Sequence, residues 1–521
     1  MSGNITVCIL TAGKGSRMGS LGMQLNKALH PIDGKAIISH IINKFPADTL
    51  FVIGVGFLGE QVKLYLEYAH ENTNFQFIEI DNYDKPGCGP GYSLSCCKGY
   101  LQKSFYFVSC DTLWANELDW STSNNWIGVA SVPASESIKY CNVKIINGEA
   151  VELIDKTYVE GENFKAFVGL CYIKDHMIFW TALENTELVS GEHQISNGIK
   201  ALIKESSLFP TTIEWTDVGD AEKYKKEVSL YENYDFSKQN ESLYILNGKV
   251  IKFFADKNVT IGRVKKSKIN TEVFPPIENY SDQFYSYVYQ QGETLYKVGN
   301  QKIFRNFLNW LNKNLWTPHP VSKDVMKEAC LKFYKEKTNE RLSLYFKKYP
   351  NTEGASCING TLVPSTSELL SNVPWDILSN GIPSFIHGDL QFDNILYDKE
   401  SDKFTLLDWR HDFAGNIEFG DLYYDLAKMY GGIILNYDYI KLNLLNYDED
   451  EDNIYLDFAQ RWQTNTYLQI MTDFIIDNKY DIEKVRILVA LIYLNMSPLH
   501  HYPFDKMLYS LGRELLFKEV K

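Results

Sequence analysis

Several features are missing from this 521-residue chain, and each absence removes a class of function. Its nine cysteines, at 8, 88, 96, 97, 110, 141, 171, 330 and 357, form no Cys-x-x-Cys pair. An odd count with irregular spacing argues against a disulfide framework and for a reducing cytoplasm. The longest apolar run, Ile487–Leu494, is far short of the roughly 20 residues that a membrane span needs. No basic n-region opens the chain, which argues against a signal peptide. Positive charge is in deficit: the formal net charge of −14 argues against a general nucleic-acid binder, which would need a basic face, although a nucleotide needs only a local pocket. No internal repeat is found. What remains is globular, 45% hydrophobic, 14% aromatic and 23% charged, in a chain long enough for two or three domains.

The first 230 residues or so alternate strand-like and helix-like segments. Ile5–Leu10, "TLFVIGVG", "FQFIEI" and "SFYFVSCD" read as strands; "AIISHIINKF", "EQVKLYLEYAH" and "SLSCCKGYL" read as helices. That alternation predicts an α/β, Rossmann-like, mainly parallel sheet over 1–232, with ligands beyond the carboxyl ends of its strands. Residues 233–240 are polar and weakly patterned and read as a linker. From 241 to about 298 the pattern is β-rich, with Asn247-Gly248 as a hairpin turn, and from about 299 to 521 it is mainly helical. The acidic run Asp448–Asp452 reads as a solvated loop.

"LTAGKGSRMG" (Leu10–Gly19) follows the first strand, and Lys27 stands ten residues after Arg17. The stretch is neither a P-loop nor a GxGxxG. A strand, a glycine-rich turn and two cations suit backbone N–H donors wrapping a triphosphate, with Arg17 and Lys27 neutralising charge. This stretch resembles the signature of the nucleotidyltransferases that make NDP-sugars and related activated alcohols, with Asn26-Lys27 in place of the family's Pro-Lys. The resemblance covers roughly residues 4–230. It assigns Leu10, Ala12, Gly13, Gly15 and Ser16 to the nucleotide, Arg17 and Lys27 to catalysis, and Asp111, ending "YFVSCD", to a metal. Asp217 in "EWTDVGD" matches the second metal aspartate. Two such carboxylates suit Mg²⁺ bridging phosphate oxygens. By the same resemblance Gly89 and Gly91 in "GCGPGYSL" meet the base and ribose. Lys156, Gly169 and Glu192 meet the acceptor.

"FIHGDLQFDNILYD" and then "FTLLDWRHDF" carry the sharpest signal. Asp389, Asn394 five residues on, and Asp408 after the next strand form a phosphotransfer set. Asp389 would accept or orient the substrate hydroxyl, while Asn394 and Asp408 would hold Mg²⁺ on ATP. The His-Gly-Asp form and "FGDLYYDLAKMY" resemble aminoglycoside phosphotransferases and choline kinases over about 240–515. No Asp-Phe-Gly or Ala-Pro-Glu segment supports a protein kinase. The resemblance implies a bilobal, kinase-like α+β domain. It places Lys252 of "KVIKFF" on the ATP α/β-phosphates, has Asp421 and Asp425 brace the catalytic loop, and has His387 orient it.

Together these readings predict a bifunctional enzyme using ATP, a second NTP and Mg²⁺ at both sites. It would phosphorylate a small alcohol, then transfer a nucleotidyl group to the new phosphate, for surface polysaccharide or glycoconjugate synthesis. A sugar or polyol is preferred as acceptor. Choline or ethanolamine is the alternative, with Trp409, Tyr423, Tyr424 and Trp462 as candidate aromatic cage residues. A reading of another class makes one half a non-catalytic binding module. Neither nucleic acid nor membrane is expected as a partner.

Overall fold

The computed structural model describes residues 5–184, 188, 191–231, 240–451 and 453–520. Contacts divide these into two compact units that meet in sequence between Ala255 and Asp256. The expected linker at 233–240 lies, but for Asn240, outside the described residues.

In the first unit, β1 (Thr6–Leu10) runs parallel to β2 (Leu50–Val55), which runs parallel to β3 (Asn74–Glu79). Helix α1 (Gly59–Ala69) connects β2 to β3, and α2 (Pro90–Cys96) precedes β4 (Phe105–Ser109). β4 is the other parallel neighbour of β1, with Val7 beside Tyr106. Val7, Cys8 and Ile9 are fully buried, as a strand covered on both faces requires. The remaining elements are β5 (Thr112–Trp114), β6 (Asn125–Ala130), β7 (Cys141–Ile146), β8 (Glu149–Asp155), β9 (Phe164–Ile173), β10 (Leu208–Thr212) and β11 (Trp215–Asp217). The main sheet reads β8-β7-β9-β4-β1-β2-β3, with β6 on β9 and β10 on β6. Its centre is parallel as expected, and β9 adds an antiparallel flank on β4.

Two placements follow from this order. Parallel β1 and β4 release the glycine-rich loop and Asp111 at the same sheet edge. β11 pairs antiparallel with β5, and Asp217 faces Thr112, next to Asp111. Helix α3 (Ala221–Val228) then starts at Asp220, whose carboxylate accepts from Lys223 N.

The hairpin β12 (Glu241–Leu246) and β13 (Lys249–Phe254) groups with the first unit, although the sequence pattern assigns it to the second. Tyr244 meets the Tyr65 ring edge-on and donates to Leu29 O at 2.7 Å, and Ile245 N donates to Gly34 O at 2.7 Å.

The second unit opens with α4 (Lys257–Ile269). Helix α5 (Lys323–Leu331) passes through a π turn at Lys332–Glu336 into α6 (Lys337–Lys348). The hairpin β14 (Ile395–Asp398) and β15 (Lys403–Leu406) carries Asn394 at its entry and Asp408 just past its exit. Helices α7 (Leu422–Ile434), α8 (Ile482–Met496) and α9 (Phe504–Glu519) form the core behind it. Tyr493 of α8 donates to Gly431 O of α7 at 2.7 Å. The run Ile487–Leu494 is the buried heart of α8. Among the described residues no helix is long and apolar enough to cross a membrane. Asp448–Asp450, expected in a loop, end a strand over Leu445–Asp450 that pairs with Asn453–Phe458, while Asp452 lies outside the described residues. Tyr447 anchors that strand by packing inward, and its acidic residues stay exposed.

Gly169 makes the fold's tightest demand near the sheet edge. It sits in β9 where the register with β6 shifts, at φ +82°, and a Cβ there would lie 2.5 Å from Ser109 Oγ. Gly169→Ala is therefore expected to cost about 1–3 kcal/mol, read as a lower thermal midpoint; an unchanged midpoint would sink this assignment.

Candidate active sites

Each unit gathers carboxylates and cations at one end of its scaffold. In the first, Lys27 Nζ lies 2.5 Å from Asp111 Oδ2 and 2.9 Å from Gly219 O. Lys27 is nearly buried, and Arg17, mostly exposed, holds its guanidinium 3.9 Å from the same Asp111 oxygen. Burial pushes the Asp111 carboxyl up, but Lys27 and then Arg17 outweigh it and hold it below the usual range. Gly15, at φ +61°, ends the loop and starts the 3₁₀ segment Ser16–Met23; a Cβ on it would stand 3.3 Å from Lys27 Cβ. Ala12 is buried, with its carbonyl accepting from Phe57 N, while Gly13 faces open space.

Asn26 explains how the loop holds its shape without a proline. Its side chain donates to Thr11 O at 3.0 Å and Phe57 O at 2.7 Å and accepts from Ala28 N at 2.9 Å. Gln61 of α1 accepts from its backbone N–H at 3.0 Å. The loop is thus fixed by side-chain bonds in place of a ring.

Asp217 is paired in its turn. Its Oδ2 lies 2.5 Å from Lys223 Nζ and accepts from Tyr140 OH at 3.0 Å, and its Oδ1 accepts from Gly219 N at 2.8 Å. Burial lowers the Lys223 ammonium, and its bonds to Asp217 and Tyr140 more than reverse that. Gly219 lets the two aspartates approach: a Cβ there would meet Asp217 Oδ1 at 2.7 Å and Asp111 Oδ2 at 3.2 Å. Two hard carboxylates converging over a residue with no side chain fit Mg²⁺, which takes few protein oxygens and completes its shell with phosphate and water.

The other expected residues of this unit divide. Gly169 touches Ser109 and Thr112 beside Asp111. Lys156 is exposed, and its backbone N–H donates to Tyr140 O at 3.1 Å. Gly89 and Gly91 press against the segment carrying Glu192. Gly91 N donates to His193 O at 2.9 Å, and a Cβ on Gly89 would sit 2.6 Å from that oxygen. Their lack of side chains is thus accounted for by this backbone approach. Glu192 accepts from Gln194 at 3.0 Å.

In the second unit the loop His387–Asn394 is held from behind. Asp425, buried on α7, accepts from His387 N at 2.8 Å, Gly388 N at 2.7 Å and Trp316 Nε1 at 3.1 Å. Asp421 caps α7 and accepts from Ile382 N at 2.9 Å and Tyr334 OH at 2.8 Å. Burial drives His387 down to about 3, so the ring stays neutral; Nε2–H donates to Leu407 O at 2.8 Å and Nδ1 accepts from Asp389 N at 3.1 Å. Asn394 Nδ2 donates to Asp389 O at 2.9 Å, which fixes the amide and leaves its oxygen outside that bond.

The two carboxylates here also carry cations. Asp389 Oδ1 lies 2.6 Å from Lys428 Nζ of α7. Burial raises that carboxyl, and Lys428 more than cancels the effect, leaving it below the usual range. Asp408 pairs closely with Arg263 of α4. Asp393, four residues past Asp389, has a buried Oδ1 without a hydrogen-bond partner among the described residues, and burial lifts its carboxyl to about 6. Lys252 is buried on β13, in the hairpin grouped with the first unit. The aromatic cage does not assemble. Trp409 is fully buried with its Nε1 on Arg263 O, Tyr423 packs toward Asp481, and Trp462 is 86% exposed.

Lys223, Tyr140, Arg263 and Lys428 are the site residues that the sequence did not disclose. Each belongs to an ordinary-looking helix or strand end, and only the tertiary fold brings it to its aspartate.

The MobA-like NTP transferase domain model matches residues 7–120, and the phosphotransferase enzyme family model matches residues 360–470. Both are transferase families, and they cover the glycine-rich loop with Asp111 and the set from Asp389 to Asp408. Curated relatives include the bifunctional protein GlmU of Methanocaldococcus jannaschii, 27% identical over 257 residues, 47% of this chain and 59% of that protein. The namesake protein of Methanococcus vannielii is 25% identical over 221 residues, 40% of this chain and 51% of that one. The chain thus spans about half the length of the curated relatives it matches. Among solved structures, a UDP-glucose pyrophosphorylase from Acinetobacter baumannii aligns with 44% of this chain and 94% of its own, at TM-score 0.37 and 16% identity.

If both carboxylate sets hold a divalent cation with nucleotide, Mn²⁺ binding followed by electron paramagnetic resonance with a non-hydrolysable ATP analogue should lose one class of site in Asp217→Asn. A different class should go in Asp408→Asn. Unchanged stoichiometry in either variant removes that carboxylate from the metal set.

Proposed function

We propose that the chain is a bifunctional transferase that activates one small alcohol in two steps. The second unit transfers the γ-phosphoryl group of ATP to R–OH, giving R–O–phosphate, ADP and a proton. The first unit joins that phosphate to the α-phosphorus of an NTP and releases pyrophosphate, giving NDP–R. The observation that supports this reading is that Arg17, Lys27, Asp111 and Asp217 converge in one unit and Asp389, Asn394 and Asp408 in the other, residue types suited to handling phosphate.

In the kinase step Asp389 receives or orients the hydroxyl proton. Asn394 fixes its backbone, and Lys428 keeps it ionised near neutral pH. In the nucleotidyl step Lys27 and Arg17 lie at the loop that would cradle the triphosphate, where cations offset the charge that builds on the departing pyrophosphate. Mg²⁺, held by Asp111 and Asp217 and by Asn394 and Asp408, would neutralise phosphate oxygens at each site. A sugar or polyol acceptor is favoured by the Gly169 approach to the Asp111 edge and by the separate placements of Trp409, Tyr423 and Trp462, which do not form the expected cage for a quaternary ammonium. The reaction suits a cytoplasmic supply of activated units for surface glycoconjugates. Fusion keeps the phosphorylated intermediate at a raised local concentration.

Two experiments test the reading. Asp389→Ala should lower ATP-dependent phosphorylation by about 10²–10⁴-fold and spare pyrophosphate release from pre-phosphorylated acceptor, while Asp111→Ala does the reverse. Loss of both activities in either folded variant defeats the two-site scheme. Lys428→Met removes the charge that depresses Asp389, so the carboxylate protonates at a higher pH. The acid limb of kcat/KM for phosphorylation should then move to higher pH, and an unmoved limb excludes Asp389 as the ionised base.

A further inference from the structure

The charge around Asp389 is opposite in sign to what that residue alone suggests. Phe333, at the π turn between α5 and α6, is the hub. Its buried ring lies 4.2 Å from Phe413 and 4.9 Å from Tyr424 between centroids. Lys337 Nζ stands 4.0 Å over that ring, and the Arg410 guanidinium carbon 4.9 Å from its centroid. Arg410 is tied to the catalytic loop: its N–H donates to His387 O at 3.0 Å, and a Cβ on Gly388 would lie 2.7 Å from Arg410 Cβ. Tyr424, at the edge of Phe333, is one helical turn before Lys428, whose ammonium is 2.6 Å from Asp389. Arg341 follows Lys337 by one turn on the same face of α6. A groove of about 770 Å³ in this unit takes Asn339, Leu342 and Phe346 from the opposite face.

These cations are under-compensated. Lys428 uses the Asp389 charge, and Asp412 is shared between Arg410 at 3.9 Å and His411 at 3.0 Å. Neither Lys337 nor Arg341 has an ion pair among the described residues. Burial, then Arg410, Arg341 and Lys428, push the Lys337 ammonium well below its usual range, and Asp412 offsets this least. Arg341 is pushed down by burial and Arg410, against Glu340 beside it. Half-buried cations that repel one another cost free energy until an anion joins them, and guanidinium forks match carboxylate and phosphate oxygens.

We infer that the alcohol phosphorylated at Asp389 carries an anionic group, a carboxylate or a phosphate, received by Lys337, Arg341 and Arg410 beside the Phe333 ring. The inference rests on the kinase reading of this unit and narrows its acceptor to an acidic polyol or hydroxy acid.

The test uses the full chain with ATP and Mg²⁺ on matched acceptors: D-glycerate and glycerol 3-phosphate against glycerol, gluconate against sorbitol, and choline as a cation. An acidic member should exceed its neutral counterpart by about 100-fold in kcat/KM, as for a paired buried charge; the glycerate and glycerol phosphate arms tell carboxylate from phosphate. Lys337→Met with Arg341→Met should raise KM for that acid by a similar factor and leave KM for ATP unchanged. Lys337→Met alone carries the comparison if the double variant melts early. A neutral or cationic acceptor used as well as the acids, or an unchanged KM in the variants, overturns the inference. If nothing is phosphorylated, calorimetry with the same compounds decides. Binding of an acid that the variants lose keeps the anion site and defeats the kinase reading, and no binding by any acid overturns the site.

Discussion

A carboxylate drawn away from water must find a cation or take up a proton, and the placement of both candidate sites follows from that rule. Asp111 is held by Lys27, Asp217 by Lys223, Asp389 by Lys428 and Asp408 by Arg263. In three of the four pairs the cation comes from a segment far away in sequence, so the pair forms only when the fold is complete. The scaffold answers to these pairs. Parallel β1 and β4 bring Lys27 and Asp111 to one edge, and the β5–β11 pairing sets Asp217 next to them. In the second unit Asp425 ties α7 to the loop that carries Asp389, so the helix that supplies Lys428 also sets its distance.

The pairing also sets how the sites meet phosphate. An ammonium on Asp111 keeps that carboxylate ionised, the form in which it would bind a hard cation. Gly219 adds the second condition, since any side chain there would separate the aspartates. Asn394 works similarly in the other unit: by giving its N–H₂ to Asp389 O it is held to the backbone of the loop that carries Asp389. In both units the orienting bond is to backbone or to glycine space, which holds geometry without spending a second charge.

What the sequence disclosed was the local part of this arrangement. Strand β1, the turn at Gly15, Asp111 at a strand end and the spacing from Asp389 to Asn394 and Asp408 all lie within short segments whose patterns are written in neighbouring residues. The bracing roles of His387, Asp421 and Asp425 were legible for the same reason. The cations opposite the aspartates were not. Lys428 looks like one more residue of an amphipathic helix, and Lys223 like a solvated lysine in a first turn. The glycines at 89 and 91 carry a constraint that their spacing alone does not show: a Cβ on either would meet the backbone of His193. The hairpin at 241–254 reads as part of the second unit because nothing in its own residues announces Tyr65 or Leu29 as partners.

Charge at the second site shows why composition misleads about function at short range. The chain as a whole is acidic, at −14, yet around Phe333 the balance is positive once Asp389 is paired. Screening over about 10 Å separates the two facts: an incoming anion feels Lys337, Arg341 and Arg410 at contact and the acidic surface only at a distance. Such a site discriminates by desolvation. A neutral alcohol would leave half-buried cations unpaired, and a cationic one would add to their repulsion, while an anion relieves both costs in one step. Asp389 and the cation cluster are therefore parts of one arrangement. Lys428 offsets the Asp389 charge, which would ease the approach of an anionic acceptor, and holds the carboxyl ionised, as a proton acceptor would have to be.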